Sequence, residues 1–317
     1  MKTITILVPC YNEKSGIEIF YSTVKKVTDT ISRYNFEFLF VDDGSKDETL
    51  HIIKKLQHKN RDIFYISLSR NFGKEIAMLA GMDHVSSSAV IIMDADLQDP
   101  PSLIPQMISE WEGGYFDVYA KRLHRSGETW LKRSSSKIYY RILNKLSDIP
   151  ILVDVGDFRL LDKKCIEALC SMRECQRYTK GLFSWIGYKK KAILYDRDSR
   201  RAGKTKWNYR KLIHLAVDGI TSFSTVPLHI SSWLGFFVSL CAFIYMLYII
   251  FKTLIHGDPV PGYPSLIAII LFVGGVQLIV LGIMGEYLGK MFNESKHRPA
   301  YLIVESNIDH SSRVNKV

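Results

Sequence analysis

The chain has 317 residues, 47% of them hydrophobic and 23% charged, and a formal net charge of +10. That composition excludes a disordered chain, and the length suits one large domain with an appendage. The charge is concentrated: segment 121–145 carries eight Lys/Arg against Glu128 alone, and 189–211 carries ten against Asp196 and Asp198, so the remainder is net acidic. Two such patches point to a polyanionic partner, phosphate or anionic lipid. No nucleic-acid-binding module accompanies them, so nucleic acid is not expected. The five cysteines, Cys10, Cys165, Cys170, Cys175 and Cys241, show neither CxxC nor zinc spacing. They read as small apolar fillers in a reducing compartment. The apolar run Ile4–Val8 ends in Pro9-Cys10-Tyr11-Asn12-Glu13 rather than in a cleavage site, so no signal peptide is expected.

In chain order, short β-rich runs alternate with helical patterns over the first 120 residues. The predicted strands are Thr3–Val8, Phe36–Val41, Ile63–Leu68, Ala89–Met93 and Phe116–Ala120. The predicted helices are Ile17–Ile31, Thr49–Gln57, Glu75–Val85 and Leu103–Trp111. Such alternation implies βαβ units and a parallel sheet. Three strands end in polar turns, Pro9–Glu13, Asp42-Asp43-Gly44-Ser45 and Asp94-Ala95-Asp96. Open α/β sheets bind ligands at strand carboxyl ends, so these turns should converge on one crevice. Ser45 or Asp47 is placed to cap the helix that follows. Further on, 128–147 reads as a basic, aromatic helix, Gly156–Leu161 as a strand, Tyr178–Trp185 as a helix and Ala192–Tyr195 as a strand.

The C-terminal third changes character. Residues 207–229 pair Trp207, Leu212, Ile213, Leu215 and Ile220 with Arg210, Lys211 and His214, as an interfacial helix does. Trp233–Phe251 and Leu266–Met284 carry no charge. At ~1.5 Å per residue, about 20 residues cross a ~30 Å hydrocarbon core. Two transmembrane helices joined by the turn-rich linker 256–264 are therefore expected. Basic residues flank the pair on both sides, and the positive-inside rule places both termini in the cytoplasm.

Asp94-Ala95-Asp96, followed by Gln98 and Asp99, is an oxygen-rich turn suited to Mg²⁺ or Mn²⁺. Such an ion would neutralise a diphosphate and assist its departure. Five segments occur in order: Val8–Glu13, Val41–Ser45, Ser69-Arg70-Asn71-Phe72-Gly73-Lys74, Asp94–Pro100 and Gly156-Asp157-Phe158-Arg159-Leu160. Together with Arg200–Lys206 and the apolar hairpin with Gly285-Glu286-Tyr287, this set resembles the family 2 glycosyltransferases of the GT-A fold. It is most similar to the polyprenyl-phosphate branch, which includes bactoprenol glucosyltransferases and dolichyl-phosphate mannose synthase. The resemblance spans about residues 3–300.

The resemblance implies an α/β GT-A domain over 1–205 and amphipathic juxtamembrane helices over 206–229. Two transmembrane helices follow within 230–291, at about 231–255 and 265–289, and a cytoplasmic tail over 292–317. It implies that Pro9, Tyr11, Glu13, Asp42 and Arg70 line a nucleoside pocket, with Asp42 accepting from the uracil edge. Asp94 would contact ribose or sugar, and Asp96 and Gln98 would hold the metal. Arg122, Lys132 or Arg133, and Ser136 or Lys137 would hold the lipid phosphate. Arg200 and Lys206 would lie on a loop closing over the donor diphosphate. Asp157 would sit at the reacting centre, where the family is usually given a base. The implied reaction is inverting transfer of one hexose from a nucleotide sugar to undecaprenyl phosphate on the cytoplasmic leaflet of the bacterial inner membrane. UDP-glucose is favoured; UDP-N-acetylglucosamine, UDP-galactose or a modified arabinose donor is the alternative. A downstream flippase and a second glycosyltransferase are the implied partners.

The residues qualify part of this. A phosphate monoester has its second pKa near ~6 and is largely dianionic at neutral pH, so the acceptor barely needs a base. Asp157 should then orient groups or tune charge; the alternative is a strand-end Asp paired with Arg159. Gly274, Gly275, Gly282 and Gly285 favour close helix packing and permit a homo-oligomer. A processive synthase is disfavoured because no Gln-x-x-Arg-Trp motif is present. A non-catalytic lipid-binding or flippase subunit is disfavoured by the intact set of acids.

Overall fold

The computed structural model describes residues 1–123, 155–175, 177–195, 224, 226–256 and 262–308. Eight strands form one mixed sheet: β1 (Lys2–Cys10), β2 (Tyr34–Asp42), β3 (Ile63–Leu68), β4 (Ala89–Ile92), β5 (Asp117–Arg122), β6 (Val155–Asp162), β7 (Lys190–Tyr195) and β8 (Ile303–Ser306). The helices are α1 (Ile17–Thr28), α2 (Thr49–Lys59), α3 (Lys74–Asp83), α4 (Ile104–Glu112), α5 (Lys163–Ser171), α6 (Thr179–Trp185), α7 (Val226–His256) and α8 (Tyr263–Ser295). The basic helix expected over 128–147, the loop 197–206 and most of the amphipathic segment 207–229 lie outside the described residues.

The spatial order is β7-β5-β6-β4-β1-β2-β3-β8. β1 pairs in parallel with β2 and β4, β2 with β3, and β5 with β7. The parallel sheet expected from the first 120 residues holds for β1 to β4, and later strands depart from it. β6 runs antiparallel between β4 and β5, with Arg159 opposite both Ile92 and Tyr119. A strand of reversed direction starts where its neighbours end, so Asp157 near the start of β6 lies at the carboxyl ends of β4 and β5. Alternation of strands and helices carries no information about such an insertion.

Side-chain alternation divides the core in two. Ile4, Ile6, Val8, Phe38 and Phe40 face α1 and α4, packing on Phe20, Val24, Met107 and Ile108. Leu7, Leu39, Val41 and Leu161 face the other way, onto Met78 and Ala80 of α3, Leu169 of α5 and Phe183 of α6. Both faces of the central strands are thus covered, as for a parallel sheet.

β8 is a second departure from expectation. Residues 292–317 read as a tail, yet Ile303–Ser306 pairs antiparallel with β3 and Ile308 is buried in the core. Glu305 accepts from Tyr65 Oη at 2.7 Å and pairs with Lys54 at 2.5 Å, and Asn307 Oδ1 accepts from Tyr65 N at 2.7 Å. The edge of β3 is thereby closed. α7 and α8 are long and apolar enough to cross a membrane, and their outward faces carry exposed Trp233, Phe236, Phe237 and Leu278.

Arg159 does not pair with Asp157. It is 1% exposed, donates from Nη1 to Asp117 Oδ2 at 3.1 Å, and its guanidinium stacks 3.6 Å from the Phe183 ring centroid. Removing one member of a buried ion pair strands the other charge. Arg159→Met should therefore cost about 3–5 kcal/mol. Arg159→Met combined with Asp117→Leu should recover most of the loss. Urea unfolding of the detergent-solubilised chain checks both.

Candidate active site

The crevice is built from loops that tie one strand end to the next. Asn12, at φ 55°, sits in the turn after β1. Its backbone N–H donates to Ser45 Oγ at 2.9 Å, and its Oδ1 accepts from Lys46 N at 2.8 Å. Glu13 N donates to Thr49 Oγ1 at 2.9 Å. Ser45 is therefore spent across the crevice, and Asp47 accepts from Thr49 N at 3.0 Å at the start of α2. The β2 turn is tied in the same way to the β3 turn, because Asp43 accepts from Phe72 N at 2.7 Å and Gly73 N at 2.9 Å. Burial pushes the Asp43 carboxyl up, against the two amides that hold it down. Gly44, at φ 65°, lies so close to the β3 turn that a Cβ would stand 2.5 Å from the Arg70 carbonyl carbon.

These turns enclose a crevice of about 300 Å³ lined by Pro9, Cys10, Tyr11 and Glu13 from the end of β1 and the turn after it, Asp43 just after β2, Asn71, Gly73, Lys74 and Ala77 from the β3–α3 region, and Asp94-Ala95-Asp96 after β4. The three expected turns do converge. Lys74 lies at the start of α3, with its Nζ 2.6 Å from Asp94 Oδ1 and 2.5 Å from Asp157 Oδ2. Burial works against this ammonium, but Asp94 and Asp157 more than offset it and hold its pKa above the ordinary lysine value. Burial alone would raise Asp157; Lys74 foremost, with Lys180 and Arg159, instead brings it down to about 2. Its Oδ1 is buried and finds no hydrogen-bond partner among the described residues. Behind it, Glu75 Oε2 accepts from Thr179 N at 3.0 Å and is pushed up by burial and by Asp157.

The residues singled out in the sequence divide into groups. Pro9, Tyr11, Glu13, Asp94 and Asp96 line the crevice, and Asp157 joins it through Lys74. Asp42 does not line it: it is 1% exposed, accepting from Ser45 N at 3.2 Å and from Ser67 Oγ at 3.0 Å, and Asp43 takes the lining position. Arg70 is exposed beside Asn71, its guanidinium 4.1 Å from the Phe72 ring centroid. Gln98 is buried and outside the lining, with Nε2 unpartnered among the described residues. Arg122 sits to one side, donating from Nε to Tyr195 Oη at 3.2 Å, and Asp99 accepts from the same tyrosine. Lys132, Arg133, Ser136, Lys137, Arg200 and Lys206 lie outside the described residues.

Among the described residues no three His, Cys, Asp or Glu side chains are grouped as a metal cage. Asp96 nevertheless offers a half-buried carboxylate at the crevice wall, one oxygen accepting from Gln98 N at 3.1 Å. Mg²⁺ and Mn²⁺ are hard ions that take one or two carboxylates and complete their shell with substrate phosphates and water. The donor set fits such an ion when a diphosphate is present.

Lys74, Asp43 and Asn71 were not assigned roles from sequence. The available signal was positional: each stands just beyond a strand's carboxyl end, as Asp94 does.

Comparison with known proteins agrees with this geometry. The model of glycosyl transferase family 2 matches residues 5–170, and that of the GtrB C-terminal hairpin matches 226–291. An uncharacterised glycosyltransferase of Synechocystis is 46% identical over 300 residues, 95% of this chain and 94% of that one. The bactoprenol glucosyl transferase of Shigella phage SfV is 45% identical over 300 residues, 95% of this chain and 97% of its own. Among solved structures, glucosyl-3-phosphoglycerate synthase of Mycobacterium tuberculosis in complex with Mn²⁺, UDP-glucose and phosphoglyceric acid gives a TM-score of 0.46 at 16% identity. It covers 69% of this chain and 78% of that one, a likeness too remote to transfer any residue's role. The family model and the relatives make this a sugar-transferring enzyme. The chain belongs to glycosyl transferase family 2, is a glycosyltransferase with the GT-A fold, and is membrane-associated through its C-terminal hairpin.

Gly44→Ala tests the loop contact. A left-handed Ala costs about 1–2 kcal/mol before its collision with Arg70 is counted. A lowered melting temperature with unchanged far-ultraviolet circular dichroism is expected.

Proposed function

We propose that this enzyme transfers glucose, with inversion, from UDP-glucose to undecaprenyl phosphate on the cytoplasmic leaflet. The observation that carries the reading is one chain holding both an acid-lined strand-end crevice, with Lys74 between Asp94 and Asp157, and an apolar helical hairpin. Relatives of nearly the same length named bactoprenol glucosyl transferase support the sugar and the lipid. The pairing of β8 with β3 supports the topology. The chain beyond α8 must return to the side that holds the sheet, which agrees with two crossings and both ends on one side.

In this reading Pro9, Tyr11, Glu13 and Asp43 receive the nucleoside and Asp94 the sugar side. Asp96 would hold a divalent ion, which supplies charge neutralisation to the departing diphosphate. Asp157 stays ionised and acts on the site through Lys74, whose ammonium it holds. The acceptor phosphate oxygen attacks C1 from the face opposite the leaving group. The C1–O bond to the diphosphate breaks, and its electron pair stays with the phosphate oxygen. Arg122, with Lys132, Arg133, Ser136 and Lys137, would receive the lipid phosphate, and Arg200 and Lys206 the donor diphosphate.

The test is transfer of radiolabelled sugar by the purified chain to undecaprenyl phosphate, with UDP-glucose set against UDP-N-acetylglucosamine and UDP-galactose. Product from UDP-glucose, lost in EDTA and in Asp96→Asn, is the expected result. Full activity in EDTA would remove the metal, and preference for another donor would replace glucose.

A second prediction concerns pH. With its pKa lowered to about 2, Asp157 contributes its pairing energy in full above the ordinary carboxylate value of 3.8 and loses it only as pH falls through about 2. It therefore does not titrate in the working range. The acidic limb of kcat/KM for the acceptor should follow the phosphate, near pH ~6. Asp157→Asn should lower kcat and keep that limb; disappearance of the limb would make Asp157 the base.

A further inference from the structure

Four of the residues lining the crevice are acids, Glu13, Asp43, Asp94 and Asp96, and Lys74 is the one cation in that lining among the described residues. A nucleoside diphosphate entering there meets carboxylates on several sides. It gains further negative charge when the sugar leaves. The site therefore needs positive charge at the point where that charge develops.

We propose that Lys74 is a catalytic residue of the transfer, whose ammonium donates to the donor's diphosphate and stabilises it as it departs. The inference rests on the reading of the crevice as the nucleotide-sugar site. An ammonium has three N–H donors. Asp157 engages it with one oxygen and Asp94 with both, Oδ1 at 2.6 Å and Oδ2 at 2.8 Å, while the side chain is 39% exposed at the crevice wall, where a diphosphate can meet the ammonium. The two carboxylates also fix the position of the charge. A cation held before the reaction begins requires no reorganisation as charge accumulates, and such prearrangement is the main source of electrostatic catalysis. Gly73, at φ 99°, turns the chain so that α3 begins at the crevice with Lys74 as its first residue. No bond to Lys74 forms or breaks: the pair of electrons from the C1–O bond rests on the phosphate oxygen that the ammonium contacts.

The alternative is that Lys74 serves Asp94 and Asp157 only, as a structural clamp. UDP and uridine separate the two, because only UDP carries the diphosphate. Calorimetric titration of each would be made with the full chain in detergent, as wild type, Lys74→Met and Lys74→Arg. A lost charge-assisted contact predicts UDP affinity reduced roughly 10–150-fold in Lys74→Met, with uridine affinity unchanged. Lys74→Arg should recover part of it, since the charge returns with a different geometry. Removing the lysine leaves two acids facing each other, so Lys74→Met with Asp157→Asn is measured as well, and the loss of UDP affinity should persist there. A UDP-to-uridine ratio equal to wild type in both Met variants would overturn the proposal. Wild type that binds UDP no better than uridine would overturn it too, and with it the donor-site reading. That outcome is distinguishable because it appears before any substitution is made.

Discussion

Two carboxylates facing one another at the ends of a sheet would repel, and the arrangement of Asp94 and Asp157 stands because Lys74 lies between them, 2.6 Å from one and 2.5 Å from the other. Each member comes from a different element. Asp94 follows β4, Asp157 begins β6, and Lys74 opens α3 after β3. The bridge therefore fixes the relative placement of three elements at the reacting end. The hydrogen bonds of Asp43 to Phe72 and Gly73 hold the β3 turn that delivers Lys74, and Glu75 links the same helix to Thr179 in α6.

Much of this was legible in the sequence, and the physical reason is local. Each strand is an apolar run closed by a polar turn, and each early helix follows at a short distance, so element type and order could be read from residues 1–120. The convergence of the three turns followed from the rule that parallel strands share a ligand-binding end. The position of β6 was not legible, because strand pairing is decided by what the whole sheet can bury. Asp42 and Asp43 are neighbours of the same chemistry. Both are buried, and which one reaches the crevice depends on strand alternation at the end of β2; Asp43 is the one in the lining. Lys74 gave no signal of its own, since a lysine beside a glycine at the start of a helix is unremarkable until its two carboxylates are placed.

β8 was illegible for a different reason. Ile303-Val304-Glu305-Ser306 is four residues long and lies beyond an apolar helix of 33 residues, where an unstructured tail is the ordinary expectation. Its pairing is specified by side chains 240 or more positions away, Glu305 with Tyr65 and Lys54 and Asn307 with Tyr65. Tyr301 Oη adds a hydrogen bond of 2.8 Å to Asp83 at the end of α3, whose other end carries Lys74. The helix that supplies the ammonium is thus held at both ends, by the crevice loops at one and by the returning chain at the other.

That arrangement bears on how an acidic crevice can serve an anionic substrate. In the proposed reading the strand-end acids accept hydroxyl groups and carry a divalent ion, yet the same acids oppose a diphosphate. Lys74 supplies a fixed charge within the crevice wall, while in the sequence most cations of the basic segments 121–145 and 189–211 come after the last residues of β5 and β7, the two strands on the far side of β6. Arg122 and Tyr195, the last residues of those strands, are already joined by a hydrogen bond of 3.2 Å, with Asp99 accepting from the tyrosine. Asp99 lies three residues beyond Asp96. The last residues of β5 and β7 are therefore anchored to the same loop that presents the crevice acids. Screening weakens exposed charges beyond roughly 10 Å, whereas a partly enclosed charge such as Lys74 keeps its effect. On the proposed reading, the charge needed where the bond breaks is therefore the one held in the crevice wall, that of Lys74.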